Sequence, residues 1–265
     1  MNYLAGRSNL ACTIFVPYDC NNHCPFCTSK LMYRDMQFNL EKVLEKIKLV
    51  NACNAVTEYV ITGGEPIANL DILKQIVSVC TKKVYINTTL PNQKDLNQVI
   101  RYINYENKIK GVSISRHMDF KFPNVADKDT IRTIKKPVRI NTVISDIQKI
   151  ESFINEWMDY GLINLREDYR KINTTTLKSW TEVSMLLMNK YTYRGTNSCL
   201  VCNSEFFGDE NYLICYHRGL EKSAIELDNK IYINDIIIHP DGNIYYDWDK
   251  KTSDDFINAL NDNIK

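Results

Sequence analysis

Three cysteines near the start of the chain stand at a spacing that suits metal binding. Cys20, Cys24 and Cys27 form a C-x3-C-x2-C pattern directly after the apolar run 11–18. Three thiolates in one short loop cannot all pair as disulfides, but they can hold three irons of a cubane cluster and leave the fourth iron open for a small molecule. Phe26 would place an aromatic ring beside whatever binds there. A zinc knuckle or three unrelated buried cysteines would give the same pattern, and the spacing alone does not choose among them.

A glycine-rich motif, Gly63-Gly64-Glu65-Pro66, follows the next predicted strand. Taken by itself it indicates a strand-to-helix turn, in which glycine lets the backbone approach a neighbour closely. Together the two motifs resemble those of the radical S-adenosylmethionine superfamily. In that superfamily a C-x3-C-x2-C loop follows the first strand and a Gly-Gly-Glu-Pro-like segment follows the second. The resemblance covers roughly residues 10–170.

The resemblance implies an enzyme with a [4Fe–4S] cluster on Cys20, Cys24 and Cys27. The amino and carboxylate groups of S-adenosylmethionine would chelate the open iron. One electron, from a donor such as flavodoxin or ferredoxin, would then cleave the sulfonium C–S bond to give methionine and a 5′-deoxyadenosyl radical. That radical would abstract a hydrogen atom from substrate, in a site that must be dry and well positioned.

The resemblance also implies cofactor-binding positions at the strand ends. Residues Gly63-Gly64-Glu65-Pro66 would bind the methionine amino group, with Glu65 supplying negative charge. Arg166 is a candidate for the methionine carboxylate or an anionic substrate group, because arginine binds carboxylates bidentately; an ion pair with a neighbouring acid is its alternative. The candidate hydrogen-bond partners of the ribose or carboxylate are Asn87, Thr88, Ser113, Ser115 and Asn141. For each of these five, an ordinary core hydrogen bond is an equally good interpretation.

The composition is ordinary for a soluble globular protein, with 44% apolar and 25% charged residues. A net charge of +1 gives no basis for binding nucleic acid or a membrane surface. Nine cysteines, without a signal peptide or an apolar span of transmembrane length, favour metal ligation in a reducing cytoplasm. We therefore expect a cytoplasmic protein with no membrane segment. Cys12, Cys53 and Cys80 lie in apolar patterns and are predicted to be buried core residues.

Strand and helix patterns alternate between residues 11 and 166. The predicted strands are 11–18, 59–62, 84–89, 111–115, 138–144 and 162–166, and the predicted helices are 40–50, 70–80, 96–105, 127–134 and 147–160. Such βα units with right-handed crossovers favour a parallel sheet, either open and doubly wound or closed toward a barrel. The resemblance implies an α/β fold with a partial six-stranded (β/α)6 TIM-like barrel. Reactive groups of such barrels lie at the carboxyl ends of the strands.

The alternation stops after residue 166. We assign residues 1–185 to the barrel and 186–265 to a carboxyl-terminal appendage that closes one side of it. The appendage should end in two strands, 231–239 and 243–248, because Pro240-Asp241-Gly242 between β-rich runs favours a turn.

A second cysteine group, Cys199, Cys202 and Cys215, has the pattern C-x2-C-x12-C. It resembles the auxiliary-cluster region of the GTP-cyclising enzymes of molybdenum-cofactor biosynthesis and of short SPASM or twitch domains, which implies a second iron–sulfur cluster. The arginines that follow the second cysteine in the cyclising enzymes are replaced here by Ser204-Glu205-Phe206, which argues against GTP as substrate. Zinc with His217 as fourth ligand and reduced structural thiols are the alternatives.

The sequence says least about the substrate. A small nucleotide- or sugar-like molecule is the first prediction, because no additional peptide-recognition domain is evident. Peptide modification, as in maturases of ribosomal peptides, is the alternative within the same superfamily. A zinc-bearing binding module without catalysis is the alternative from another class. The Gly-Gly-Glu-Pro motif and the barrel pattern argue against that module, since a binding knuckle needs neither.

Overall fold

A twelve-stranded, mostly parallel sheet runs through the residues that the computed structural model describes, namely 2–7, 9–17, 20, 22–27, 36–168, 177–197, 204–217 and 223–262. A short first strand, β1 (Asn2–Ala5), lies in a separate small sheet. The next six strands are β2 (Leu10–Val16), β3 (Val56–Gly63), β4 (Lys83–Thr88), β5 (Ile109–Ser115), β6 (Val138–Val143) and β7 (Leu162–Arg166). The helices between them are α1 (Leu40–Asn51), α2 (Leu70–Val79), α3 (Leu96–Tyr105), α4 (Lys128–Arg132) and α5 (Ile150–Trp157), the last flanked by 3-10 turns at Ile147–Lys149 and Met158–Tyr160.

The strands β2 to β7 lie side by side in chain order, and each pairs with the next in parallel. A doubly wound sheet would reverse its direction of growth partway along. When each right-handed crossover adds the next strand on the same side of the previous one, all of the helices lie on the same face of the sheet. The arrangement is therefore consistent with the expected partial barrel rather than with an open doubly wound sheet.

The two faces of the parallel strands differ in polarity. Ile61, Ile86, Ile114, Ile140 and Ile163 are fully buried and pack with helix residues in the main hydrophobic core. Burying each of these side chains stabilises the fold by about 2 kcal/mol. Their sequence neighbours point to the opposite face, which we call the inner face, because side chains alternate along a strand.

Asparagine and aspartate side chains fix the start of three helices. Asn39 accepts from the Lys42 amide at the start of α1, and Asn69 accepts in the same way from the Ile72 amide at the start of α2. Asp127 accepts from the Thr130 amide before α4. Each cap is worth about 1 kcal/mol, since it satisfies a backbone donor that the helix leaves unpaired. The loops at the strand ends are thereby held at both of their ends.

The chain after β7 adds strands at both edges of the six-stranded set. The remaining elements are α6 (Leu177–Lys190), β8 (Tyr193–Thr196), β9 (Glu205–Gly208), β10 (Leu213–His217), β11 (Ala224–Leu227), β12 (Lys230–Ile233), β13 (Asp235–Ile238), β14 (Ile244–Asp247), β15 (Lys250–Lys251) and α7 (Asp255–Asp262). Strand β10 pairs in parallel with β7, whereas β13 pairs in parallel with β2. The predicted appendage on one side is therefore, in the structure, an extension of both edges.

The predicted strand 231–239 is two strands in the structure. It breaks at Asn234, whose amide donates to Ser223 O at 2.8 Å. The part before the break, β12, lies between β1 and β11 in the small sheet, and the part after it, β13, enters the main sheet. The predicted turn is confirmed, because the Gly242 amide donates to His239 O at 2.9 Å and β13 pairs with β14.

Among the described residues, none of the helices has the length and apolar character needed to cross a membrane.

Candidate functional site

The loop with Cys20, Cys24 and Cys27 follows the carboxyl end of β2, and all three residues are half-buried. The Cys27 amide donates to Cys24 O at 3.2 Å, so a turn folds the last two cysteines together. Within the described ranges, no three His, Cys, Asp or Glu side chains are grouped to hold one metal ion. A cubane cluster has a different requirement, since each thiolate binds its own iron. Three thiolates in one loop meet that requirement.

Phe26 attaches this loop to the end of β5. Its ring meets the His117 ring edge to face, with centroids 4.4 Å apart, and Phe120 lies 6.2 Å away. His117 Nδ1 accepts from the Val143 amide at 3.2 Å. Burial, helped by the nearby Arg116 charge, lowers the pKa of His117 to about 3, so the imidazole is neutral and carries its proton on Nε2. An aromatic contact of this geometry is worth about 1 kcal/mol beyond its buried area.

Gly63 allows the ends of β2 and β3 to approach each other. Its φ is +118°, and a Cβ placed on it would lie 2.7 Å from Val16 O and 2.8 Å from Val16 N. Val16 is the last residue of β2 and the register partner of Gly63. Any side chain at position 63 would therefore push on the backbone where the cysteine loop departs.

Glu65 is buried, with 6% of its surface exposed, and its carboxylate is fixed by donors from Thr88, Thr89 and Ile67. Oε1 accepts from Thr88 Oγ1 at 2.5 Å and from the Ile67 amide at 3.4 Å. Oε2 accepts from both the amide and the hydroxyl of Thr89. Burial raises the pKa of Glu65, while these hydrogen bonds act in the opposite direction. A carboxylate held this rigidly is suited to receive an ammonium group.

The Thr89 hydroxyl connects the two motifs. It donates to Glu65 Oε2 at 2.6 Å and accepts from Asn22 Nδ2 at 3.2 Å. Asn22 belongs to the cysteine loop, between the first and second cysteines. The loop and the glycine-rich motif are thus joined through one side chain at the end of β4.

The Arg116 side chain fixes the backbone of Thr89. Its Nη1 donates to Thr89 O at 2.8 Å and to Ser115 O at 2.7 Å, and its Nη2 donates to Ala126 O at 2.9 Å. The guanidinium is buried, and burial lowers its pKa to about 10. Its three hydrogen bonds hold the backbone carbonyls of Thr89, Ser115 and Ala126 in place.

The structure brings four of the candidate hydrogen-bonding residues onto the inner face. Asn87 is the register partner of Ser113, and Ser115 is the register partner of Asn141. Thr88 lies on the helix side instead, where its hydroxyl binds Glu65. The inner face between β4 and β6 therefore carries hydroxyl and carboxamide groups instead of a hydrophobic surface.

Arg166 is exposed and ends β7, two residues beyond Asn164. Its register partner on β10 is His217. The guanidinium is thus at the rim of the inner face rather than at its centre.

Cys215 is buried on β10, next to β7. Its Sγ lies 3.3 Å from His217 Nε2, while His217 Nδ1 lies 2.6 Å from Ser204 Oγ. The other two members of this predicted group, Cys199 and Cys202, lie outside the described residues. Cys12, Cys53 and Cys80 are fully buried, as predicted.

Sequence reasoning missed four residues that shape the site, namely Asn22, Arg116, His117 and Asn164, and it indicates Thr89 only as a polar residue at a strand end. All but Asn164 lie in the cysteine loop or directly at a strand end, which was the available indication. Their contacts join segments that are 26 to 67 residues apart in sequence, so no local pattern reveals them. Asn164 interrupts an apolar strand, and that interruption was the only indication of its importance.

Comparison with known proteins gives a family and a distant structural likeness. No curated protein matches the chain. Among solved structures, one chain described as "Native anSMEcpe with bound AdoMet and Cp18Cys peptide" is 16% identical, with a TM-score of 0.47. The match covers 61% of this chain and 51% of that one, so it spans about half of the solved chain's length. A likeness at that level carries no information about substrate.

The family comparison is more extensive. The family described as "Radical SAM superfamily" matches residues 14–159, which include the cysteine loop, the glycine-rich motif and the strands from β3 to β6. That match spans more than half of the chain, and the chain belongs to the radical SAM superfamily.

Proposed function

We propose that this protein is an iron–sulfur enzyme that cleaves S-adenosylmethionine reductively and begins catalysis by abstracting a hydrogen atom from substrate. The observation that carries the proposal is the link from Asn22 through Thr89 to Glu65. It joins the cysteine loop to the glycine-rich motif at the ends of adjacent parallel strands. Family membership supports the [4Fe–4S] cluster and S-adenosylmethionine as cofactors.

In this proposal Cys20, Cys24 and Cys27 would hold a [4Fe–4S] cluster that leaves one iron for S-adenosylmethionine. A cluster held there would supply the one electron needed to break the sulfonium C–S bond, received from a donor such as flavodoxin or ferredoxin. Glu65 receives the methionine ammonium, and its fixed carboxylate loses little freedom on binding. Gly63 keeps the backbone beside it free of side chains, so that Gly64 and Pro66 can approach the ligand.

The other candidate residues position the cofactor and exclude water. Phe26 and its partner His117 form an aromatic wall beside the cluster loop. Hydrogen bonds to the ribose or carboxylate come from the inner-face residues Asn87, Ser113 and Ser115, whereas Asn141 lies farther along the sheet, beside Asn164. Thr88 acts through Glu65, which it orients. Arg166, exposed at the end of β7, takes the methionine carboxylate or an anionic substrate group.

A small molecule of nucleotide or sugar type is the proposed substrate class. The inner face supports it, because hydroxyl and carboxamide groups there match the hydrogen-bonding groups of such molecules. Residues 1–185 would form the catalytic barrel.

We also propose that residues 186–265 carry a second iron–sulfur cluster on Cys199, Cys202 and Cys215. The position of Cys215 beside β7 supports this assignment. The zinc alternative has an observation of its own. Ligands at about 2.3 Å (sulfur) and 2.0 Å (nitrogen) on one tetrahedral ion lie about 3.5 Å apart. The separation of 3.3 Å between Cys215 Sγ and His217 Nε2 is close to that value.

Metal and sulfide analysis tests the proposal. The wild type, reconstituted under anaerobic conditions, is compared with a variant in which Cys20, Cys24 and Cys27 are all alanine. Two clusters predict about eight irons per chain, falling to about four; one cluster predicts about four, falling to none. One zinc per chain in both the wild type and the variant would show that Cys199, Cys202 and Cys215 bind zinc instead of a cluster. A wild type without iron or acid-labile sulfide would refute the proposed function.

A further inference from the structure

The side chain of Asn164 is fully buried without the hydrogen bonds that burial normally requires. It has no exposed surface, and neither its Oδ1 nor its Nδ2 has a partner among the described residues. Leaving a buried polar group unpaired is costly, and native proteins contain few such groups. Both atoms are unpaired, so the observation holds whichever way the carboxamide is turned.

Asn164 belongs to the inner face. Its neighbours Ile163 and Leu165 pack in the main core on the helix side, so the residue between them points the opposite way. Its register partners are Asn141 on β6 and Cys215 on β10. Asn141 is half-buried, and its Oδ1 also lacks a partner in the described part of the chain. Two carboxamides on adjacent strands therefore have unmet hydrogen-bonding capacity on the same face of the sheet.

This pair lies away from Glu65, the residue assigned to the methionine ammonium. Strands are spaced about 4.8 Å apart, so Asn164 on β7 is about 14 Å along the sheet from Thr89 at the end of β4. Glu65 is bound to Thr89, at the near end of that span. The substrate, and not the amino group of the cofactor, would therefore be the partner of Asn164. This step rests on the proposed function, because it takes the assignment of Glu65 as given.

We infer that Asn141 and Asn164 recognise a neutral substrate group that presents an N–H donor beside a C=O acceptor. An amide offers that edge, and so does the lactam edge of a nucleobase. Either one matches a carboxamide, which also has one donor and one acceptor. An anion provides no donor for the two Oδ1 atoms and would have to be buried without charge compensation. Arg166 is exposed at the rim, so a charged part of the same ligand would bind there instead.

The first test compares two carboxamides in the same fold. Asn51 is a matched control, because its Nδ2 donates to Val79 O at 2.8 Å and its Oδ1 accepts from Tyr59 Oη at 2.7 Å. A buried carboxamide that has no partner until a ligand binds destabilises the ligand-free protein. Asn164→Leu should therefore raise the midpoint of thermal unfolding by about 2–4 °C. Asn51→Leu should lower it. If Asn164→Leu lowers the midpoint as Asn51→Leu does, Asn164 is a structural residue and the inference is wrong.

The second test does not depend on the leucine variant being folded. Side-chain amide resonances of Asn164 are identified in ¹⁵N-labelled wild type with the help of Asn164→Ser. The probes are N-methylacetamide for a peptide amide, uracil for a lactam edge, and acetate as a charged control. Saturable shifts of these resonances with N-methylacetamide alone assign a peptide-like substrate, and shifts with uracil alone assign a nucleobase; shifts with both support the general amide edge. Shifts with neither probe, or equal shifts with acetate, overturn the inference.

These measurements need no reductant and no turnover. A negative result here would leave the assay of S-adenosylmethionine cleavage unaffected. Failure of that cleavage would equally leave the binding result at Asn164 in place. The two proposals can therefore fail separately.

Discussion

Thr89 donates both its backbone amide and its hydroxyl to one oxygen of Glu65, at 2.8 and 2.6 Å. Strands β3 and β4 are thereby tied together at their carboxyl ends, where the glycine-rich motif begins. The same hydroxyl accepts from Asn22 in the cysteine loop. The carboxylate is therefore oriented before any ligand arrives, and the loop is held in register with it.

Removing the Thr89 hydroxyl should weaken cofactor binding. Hydrogen bonds to a charged group are worth about 1.5–3 kcal/mol, so Thr89→Val should reduce affinity for S-adenosylmethionine at least about tenfold. Thr89→Ser keeps the hydroxyl and should retain most of the affinity. Equilibrium binding to the reconstituted proteins measures both variants. Equal affinities of the valine and serine variants would show that the Thr89 hydroxyl does not contribute to cofactor binding.

Gly63→Ala should damage the site more than an alanine at another glycine of positive φ. Gly161 has a φ of +85°, and a Cβ placed on it would meet nothing within 4 Å, so Gly161→Ala should cost only the backbone strain of about 1–2 kcal/mol. Gly63→Ala adds a collision with the Val16 backbone and should cost at least about 3 kcal/mol. Denaturant unfolding measures both variants, and iron content reports the cysteine loop. Similar losses in the two variants would mean that the approach of β2 to β3 does not require glycine.

Arg116→Met should destabilise the protein by about 2–4 kcal/mol, because the carbonyls of Thr89, Ser115 and Ala126 would lose their donor. Arg132→Met is the matched control, since Arg132 lies in an exposed ion pair that contributes about 0–1 kcal/mol. Both values come from urea unfolding. A loss at Arg116 no larger than that at Arg132 would show that the carbonyls find other donors.

Asp235 should make the protein less stable as the pH rises. Burial raises the pKa of this carboxyl to about 7, although Thr13 donates to Oδ2 and Arg7 lies nearby. Because the folded-state pKa is above the unfolded value of 3.8, the stabilising effect is complete below about pH 4 and is lost as the pH rises through 7.

Between pH 5 and 8 that loss should be about 2–3 kcal/mol, and Asp235→Asn should remove most of it. Asp159→Asn, at an exposed position, should keep the wild-type profile. Thermal unfolding across this pH range provides the measurement. If the unfolding midpoint depends on pH equally in wild type and Asp235→Asn, a group other than Asp235 causes the loss of stability.

Local pattern was sufficient for the six parallel strands from β2 to β7 and the helices between them. The run 11–18 corresponds to β2 at 10–16, and the helix 96–105 has the predicted limits, because buried strands and amphipathic helices carry their period in the sequence. The placement of β10 and β13 was not predictable, since short strands do not encode which edge they join. The break at Asn234 depends on a hydrogen bond to Ser223, which no periodicity reveals.

The candidate site, like the fold, could be predicted from the sequence only in part. Spacing identified the cysteine loop and the glycine-rich motif, because consecutive residues carry that chemistry. Arg116 and Thr89 act through partners on other strands, so their roles appear only when the sheet is assembled. For Thr88 the sequence leaves a cofactor contact and an ordinary core hydrogen bond equally open, and in the structure its hydroxyl donates to Glu65 from the helix side of the sheet. Its contribution is to fix Glu65.

Formation of 5′-deoxyadenosine tests the central claim most directly. Anaerobically reconstituted wild type is reduced in the presence of S-adenosylmethionine, beside Cys24→Ala and the control Cys80→Ala, which alters a buried core thiol. We predict 5′-deoxyadenosine and methionine in equal amounts from the wild type and from folded Cys80→Ala, and neither product from Cys24→Ala. A wild type that carries its full iron and yields no 5′-deoxyadenosine, or a Cys24→Ala variant that still yields it, would contradict the account.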